Sequence, residues 1–404
     1  MFNKKIIAWA LYDLANTAFT SPFVTIFWPL LVTEILHGNE FHLGLTVAVG
    51  LFFFGILIPA IGLISDNTNI RKPFIIVPTI AMIVIIAILP GVNLFWNLVL
   101  AGIVTILYNI SLSIYNTILP LLAADKDMGK VSGFGMAAGF TGTILSMLIA
   151  YLTLKFFETD TIKTAAGIKA VFPVIAIFFL IFSIPMLFIF KDEKVRKLRM
   201  SSSEMLFRIF NTLKGLFRIR GMLPFLAYFG LFSNALAAID IFFFLYAQNE
   251  IGMQLGQFIL LFMGQSIGAC IGALILGRLS DKYGAKNMLA FSTITWIFVV
   301  GVFISSRNIN TFWIVGLIGS IAFGGSMANA RTLFVFLTPG DKIGEFFGYS
   351  QIVNRLAAII GPLIGGWLIV SYGYNAVLFM IMAFIVFSLF YLFRVPDLRS
   401  SSKT

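Results

Sequence analysis

The sequence predicts an all-α membrane protein with twelve transmembrane helices in two six-helix halves that repeat in parallel. Three observations predict it. Apolar residues make up 59% of the 404-residue chain and aromatic residues 15%, while charged residues reach only 11%; mean hydropathy is +0.99. Soluble domains carry about 25% charged residues, so this chain lacks the polar surface to stay in water. Apolar runs long enough to cross a bilayer recur along its whole length. Finally, a short polar hinge occurs twice, as Gly62-Leu-Ile-Ser-Asp66-Asn-Thr-Asn-Ile-Arg71-Lys72 and as Gly277-Arg-Leu-Ser-Asp281-Lys-Tyr-Gly-Ala-Lys286-Asn287, with glycine, aspartate and base each shifted by 215 residues. A polar hinge repeated at about half the chain length indicates a duplicated unit.

The spans are expected near 6–33, 43–65, 73–91, 94–123, 131–157, 168–190, 222–248, 256–279, 287–305, 311–337, 346–370 and 375–393, since about 20 residues suffice for a helical crossing. The first run follows Lys4-Lys5 like a signal peptide, but it is too long for one and contains Asp13, so it reads as a retained span. An even number of spans puts both ends on one side. With that side cytoplasmic, 22 of the 28 lysines and arginines fall inside and 4 outside, as the positive-inside rule requires. The basic charge then faces anionic lipid, and nucleic acid is not needed to explain it. The chain divides into an N-terminal six-helix half (1–190), a cytoplasmic linker (191–221) and a C-terminal six-helix half with a short cytoplasmic tail (222–404). In the linker, Leu206, Ile209, Phe210, Leu213, Leu216 and Phe217 share one helical face, while Arg208, Lys214 and Arg218 lie off it. This pattern, opened by the capping box Ser201 to Glu204, predicts an amphipathic helix on the membrane surface. It reads first as a structural linker and second as a regulatory site.

The repeat extends further: Gly129-Lys-Val-Ser-Gly133-Phe134 and Gly344-Glu-Phe-Phe-Gly348-Tyr349 also stand 215 apart and open the fifth span of each half. Two six-span halves in one orientation form the parallel-repeat plan of major facilitator transporters. The hinge resembles the signature loop between spans two and three of that superfamily. The resemblance implies a latch of Gly62, Asp66 and Arg71, with Gly277, Asp281 and Lys286, that closes the cytoplasmic side. Its glycines would let helices approach, and its aspartates would sit near a helix N-terminus and a base.

Trp9-Ala-Leu-Tyr-Asp13-Leu-Ala-Asn16-Thr-Ala-Phe19 resembles the opening of the vacuolar-effluxer-like branch of the superfamily. Tyr115-Asn116-Thr-Ile-Leu-Pro120, at the end of span four, is similar in style. So is the span-ten exit, Ala330-Arg331-Thr-Leu-Phe-Val-Phe-Leu-Thr338-Pro339 followed by Glu345-Phe-Phe-Gly348. That branch includes a fungal autophagy-related transporter implicated in releasing amino acids from the vacuole. The chain departs from it at Leu14 and Leu121, where the branch often carries tryptophan and an acid.

Ionisable groups inside the hydrocarbon are costly and become functional candidates by default. Asp13 (span 1), Asp240 (span 7), Arg331 (span 10) and Arg355 (span 11) qualify. At about 1.5 Å per residue, Asp13 and Arg331 each lie about 10 Å from the cytoplasmic end of their span, and the superfamily plan lets them pair across the halves. With Asn16 and Asn116 they would form a polar cluster that binds the amine and carboxylate of a zwitterionic solute. The competing reading is a helix-docking salt bridge. Arg355 would meet an anionic substrate group, or neutralise an acid, or cap carbonyls. Proton coupling would rest on Asp13 or Asp240, because His37 and His42 sit in or beside the first outer loop; Asp240 also reads as a water-lining acid. Trp9, Trp28 and Trp96 read as interface anchors.

Gly361-Pro362-Leu-Ile-Gly365-Gly366 has a form associated with antiporters in span five but stands here in span eleven. It is expected to serve close packing and a kink. Gly133-Phe-Gly135-Met-Ala-Ala-Gly139 has the wrong spacing for a dinucleotide loop and also reads as packing. The single cysteine, Cys270, excludes an intrachain disulfide. No ATP-binding loop, zinc motif or nucleophile–histidine pair occurs, so an enzyme is not expected, nor a cofactor or a bound metal. The expectation is a secondary transporter of a small solute in an inner bacterial membrane, with amino acids first, in the direction of efflux, and with a proton as co- or counter-ion. A flippase or exporter of lipid or drug-like substrates on the same fold is the alternative. A receptor or scaffold is disfavoured by the duplicated hinge.

Overall fold

Long apolar runs without polar backbone partners can satisfy their own N–H and C=O groups only as helices, and helices are what the chain forms. The computed structural model describes residues 3–122, 128–157, 165–192, 204, 207, 214–215, 218–338 and 357–396. The principal helices are α1 (Lys4–Pro22), α2 (Glu40–Thr68), α3 (Pro73–Ile88), α4 (Leu94–Asn116), α5 (Met128–Phe156) and α6 (Ala165–Ile189), then α7 (Met222–Asn249), α8 (Leu255–Tyr283), α9 (Ala285–Ser305), α10 (Ile309–Leu337), α11 (Ile360–Tyr372) and α12 (Tyr374–Arg394). Among the described residues, eleven apolar helical segments are long enough to cross a membrane; α11 is shorter, and the span predicted at 346–370 begins outside them. The linker helix also lies largely outside them: positions 204, 207, 214, 215 and 218 are helical.

Local chemistry sets the helix ends. Asn3 and Asn93 accept backbone N–H groups at the starts of α1 and α4. Asn39 and His42 form a reciprocal capping box at the start of α2, which satisfies donors that the first turn leaves open. Pro22 ends the regular part of α1, which then widens into π turns at Phe23–Phe27 and Leu31–Ile35; such turns accommodate a break without leaving the span.

The chain divides into two compact units, Met1–Met205 and Leu206–Thr404. In the first, α1 packs on α5 and α6, α2 on α4, α3 on α4 and α6, and α5 on α6. The second unit repeats these pairings with six added to every label. Small residues set the crossings. A methyl group on Gly142 (α5) would overlap the Leu14 carbonyl oxygen of α1, and one on Gly361 (α11) would overlap that of Asn234 (α7). Between α8 and α10, Gly272 lies against the Ile321 carbonyl and Gly324 against that of Ala269. The packing role expected of Gly361-Pro362 therefore holds. The Gly361 N–H, left without a helical partner at the start of α11, donates to Asn234 Oδ1 at 2.7 Å. The outward faces are apolar, with Phe52, Ile56, Val77 and Val84 exposed in the first unit and Ile314, Phe379 and Phe387 in the second, as helices facing lipid require.

The duplication also shows in the polar core. Thr79 spends its hydroxyl proton on the Ile75 carbonyl, so the Tyr12 hydroxyl donates to Thr79 at 2.7 Å. In the second unit Thr293 likewise bonds to Leu289, and Tyr228 donates to Thr293 at 3.1 Å. At the ends away from the hinges the two units differ. Trp28 Nε1 donates to Asn97 Oδ1 at 3.0 Å, and Asn97 Nδ2 to the Leu89 carbonyl at 2.9 Å. The second unit uses an ionic knot instead. Arg307 pairs with Glu250 at 3.3 Å and donates to the Tyr246 hydroxyl, the Phe303 carbonyl and Asn375 Oδ1.

Trp9 and Trp28 correct the sequence reading. They are 4% and 2% exposed, whereas Trp96 is 55% exposed. Only Trp96 stands on the surface as an anchor would. Trp9 and Trp28 instead carry polar handles that find partners in the core, the usual condition for burying a tryptophan.

Candidate substrate and gating sites

Asp13 lies midway along α1 and is half-buried. Its carboxylate turns toward α5: a methyl group on Gly135 would lie 3.4 Å from Asp13 Oδ2, and one on Gly139 would lie 3.7 Å from it and 2.9 Å from Thr17 Oγ1. The Gly135–Gly139 stretch is thus close packing, as expected, and the surface it offers is where the carboxylate rests. Asn16, one turn further, is 1% exposed. It lies beside the Tyr12 hydroxyl together with Ser111, yet neither of its amide atoms has a hydrogen bond of ordinary geometry.

Asn116 is the last residue of α4 and is exposed. Tyr115, just before it, stacks on Trp9 with ring centroids 4.8 Å apart and planes 6° from parallel. Asp240 in α7 and Arg331 in α10 have exposed side chains. Arg355 lies outside the described residues. Asp13, Asn16 and Asn116 belong to the first unit, and Asp240 and Arg331 to the second.

Each hinge turns through a residue with positive φ. Asn69 (φ 57°, ψ 22°) and Gly284 (φ 92°, ψ 141°) stand 215 residues apart; the first is left-handed helical, and the second lies in a region open essentially to glycine. Asparagine is among the few residues that tolerate the first conformation, and glycine is the one suited to the second. Gly284→Ala is therefore expected to lower stability by about 1–2 kcal/mol, read as a fall in melting temperature in detergent, with Asn69→Gly near neutral. The backbone at positions 66 and 281 is helical, but their side chains lie outside the description. Among the described residues, nothing lies within 4 Å of a methyl group placed on Gly62, and only the Ala328 Cβ, at 3.8 Å, approaches one on Gly277. Among the described residues, the closest helix crossings fall instead at Gly142, Gly324 and Gly361.

The hinge bases are engaged within their own units. The N–H groups of Arg71 and Lys72 donate to Asp192 Oδ1, just after α6, at 2.8 and 2.9 Å. Arg71 Nε donates to Thr117 Oγ1 at 3.2 Å. Lys286 Nζ donates to the carbonyls of Val395 (2.6 Å) and Phe393 (3.3 Å) at the end of α12. Each hinge is thus tied to the last helix of its unit, once by a carboxylate at a helix N-terminus and once by an ammonium at a helix C-terminus, both favoured by the helix dipole. Asp192 escaped the sequence reading because it falls in a run of linker charges; its one signal was its place directly after the sixth span.

The family model described as "Vacuole effluxer Atg22 like" matches residues 42–404. The chain belongs to this family. Along most of its length this Atg22-like protein is similar to the MFS-type transporter YxiO of Bacillus subtilis, at 23% identity over 90% of this chain and 88% of the relative. It is similar in fold to a mutant of the nucleoside transporter NupG, with a TM-score of 0.76 at 16% identity, covering 98% of this chain and 100% of that one. A D-xylose–proton symporter matches with a TM-score of 0.69 at 15% identity, over 98% and 97% of the two chains. The fold is that of the major facilitator superfamily, and this Atg22-like chain is a multi-pass membrane protein and a secondary transporter, not an enzyme.

Proposed function

We propose that this transporter moves amino acids by alternating access, in the direction of efflux, with Asp13 binding the substrate amine. The observation that carries the reading is the half-buried carboxylate of Asp13 within a span, one turn from the buried amide of Asn16. A carboxylate held in low dielectric selects a cation or a proton over neutral solutes. Arg331, in α10, would supply the opposite charge for the substrate carboxylate, aided by Asn116 and Arg355. The effluxer description of the matching family supports the direction. Proton coupling through Asp13 or Asp240 is in keeping with the D-xylose–proton symporter of similar fold. The hinges, with Gly62, Asp66 and Arg71 and with Gly277, Asp281 and Lys286, would set the balance between inward- and outward-open states on a cytoplasmic face that also carries both termini.

Counterflow in proteoliposomes with a panel of amino acids, with and without an imposed pH gradient, tests this. Exchange of at least one amino acid, with pH-driven uptake lost when Asp13 and Asp240 are both made asparagine, is the expected result. Exchange of none, with exchange of a lipid or a drug-like cation, would replace the reading by the exporter alternative.

A further inference from the structure

In the first unit a chain of contacts runs from the hinge to Asp13. The α1 and α4 backbones make few close approaches, and the gap between them is bridged by aromatic side chains. Trp9 stacks on Tyr115, Tyr12 leans on Tyr115 at 5.4 Å, and Phe19 meets Tyr108 edge-on at 6.2 Å. The Trp9–Tyr115 pair is closed by reciprocal hydrogen bonds: Trp9 Nε1 donates to the Tyr115 carbonyl at 3.4 Å, and the Tyr115 hydroxyl donates to the Trp9 carbonyl at 3.2 Å. Neither ring can turn without breaking a bond to the other helix.

Both ends of this clamp are anchored. On one side the Cζ3–Cη2 edge of Trp9 abuts Gly135, where a methyl group would come within 2.5 Å of Cζ3. The same glycine faces Asp13 Oδ2, so tryptophan and carboxylate, one turn apart on α1, share one small surface on α5. On the other side α4 ends at Asn116, directly after Tyr115. The following turn is held by Thr117, whose Oγ1 accepts from the hinge residue Arg71. A displacement of the hinge thus has an unbroken path of packed and bonded groups through Thr117, Tyr115 and Trp9 to the seat of the carboxylate. Packed elements of this kind shift as units rather than deform.

We propose that Trp9 and Tyr115, seated on Gly135, are positioning residues that set the placement and accessibility of the Asp13 carboxylate in response to the hinge. This rests on the reading of Asp13 as a functional group, but its test does not require transport. The full chain in lipid nanodiscs is treated with dicyclohexylcarbodiimide at one fixed pH, and labelling of Asp13 and Asp240 is followed by peptide mass spectrometry. Gly135→Ala, which displaces Trp9, and Thr117→Val, which removes the Arg71 acceptor, are expected to change the Asp13 labelling rate by about fivefold or more, the size of a modest coupling between sites. Labelling of Asp240 stays constant, and Trp9→Phe, which keeps a stacking ring, stays closer to the wild type than Trp9→Leu. Unchanged Asp13 labelling in both Gly135→Ala and Thr117→Val would overturn the proposal. So would equal changes at Asp240, which would mark general loosening. If labelling shifts as expected while Asp13→Asn transports normally, the positioning stands and the substrate role of Asp13 falls.

Discussion

Gly324→Ala is expected to be among the most destabilising single-methyl changes in this protein, costing about 3 kcal/mol or more. The added carbon would overlap the Ala269 carbonyl oxygen on α8, with its carbonyl carbon and Cα close behind. A side chain in the way can change rotamer, but backbone can move only if the helix moves. The α8–α10 crossing would have to open along a face where Gly268 and Gly272 also sit against Ser320 and Ile321, forfeiting the contacts that hold helices together in lipid. The measurement is the melting temperature of the purified chain in detergent, read by loss of the monodisperse peak. Gly62→Ala is the comparison: it is also a helical glycine, but among the described residues nothing lies within 4 Å of the new methyl group. It should leave stability unchanged or slightly raised, since alanine favours a helix over glycine by about 1 kcal/mol. Equal losses from the two variants would mean that the crossings are not set by these contacts.

Asp13→Asn is expected to reduce amino-acid counterflow by at least about tenfold while leaving the melting temperature close to the wild type. Asparagine keeps the shape that fits against Gly135 and Gly139 but not the charge. A hydrogen bond to a charged group contributes about 1.5–3 kcal/mol, which is about 10- to 150-fold in affinity. A helix-docking role predicts the reverse, with a fall in melting temperature and transport lost only as far as folded protein is lost. Wild-type exchange and binding in a stable Asp13→Asn protein would end the substrate reading.

The sequence made the architecture legible because its strongest signals are ones a bilayer imposes: long apolar runs, basic loops and a hinge displaced by a constant interval. The repeated helix pairings, and the positive φ at both Asn69 and Gly284, follow from that duplication. What stayed hidden was which apolar side faces lipid and which faces the core. When nearly every residue of a span is apolar, hydropathy cannot distinguish an anchoring tryptophan from a buried one, and so Trp9 and Trp28 were misread while Trp96 was not. Asp192 was obscured for the opposite reason, as one acid among many linker charges. The candidate carboxylate was legible as a charge out of place, but its seat against Gly135 and Gly139 depends on how α1 crosses α5, and no linear pattern carries that angle.

The ties at the helix ends away from the hinges differ in chemistry, and this gives the two units unequal sensitivity to ionic strength. Trp28, Asn97 and the Leu89 carbonyl form a neutral chain, which added salt does not weaken. Arg307 and Glu250 are about one-third exposed, within reach of counter-ions whose screening length contracts from about 10 Å at 0.1 M to about 3 Å at 1 M. Concentrated salt should therefore loosen the knot joining α7, α9 and α12 and leave its neutral counterpart intact, so the two descendants of one duplicated unit can be perturbed separately by the solution alone.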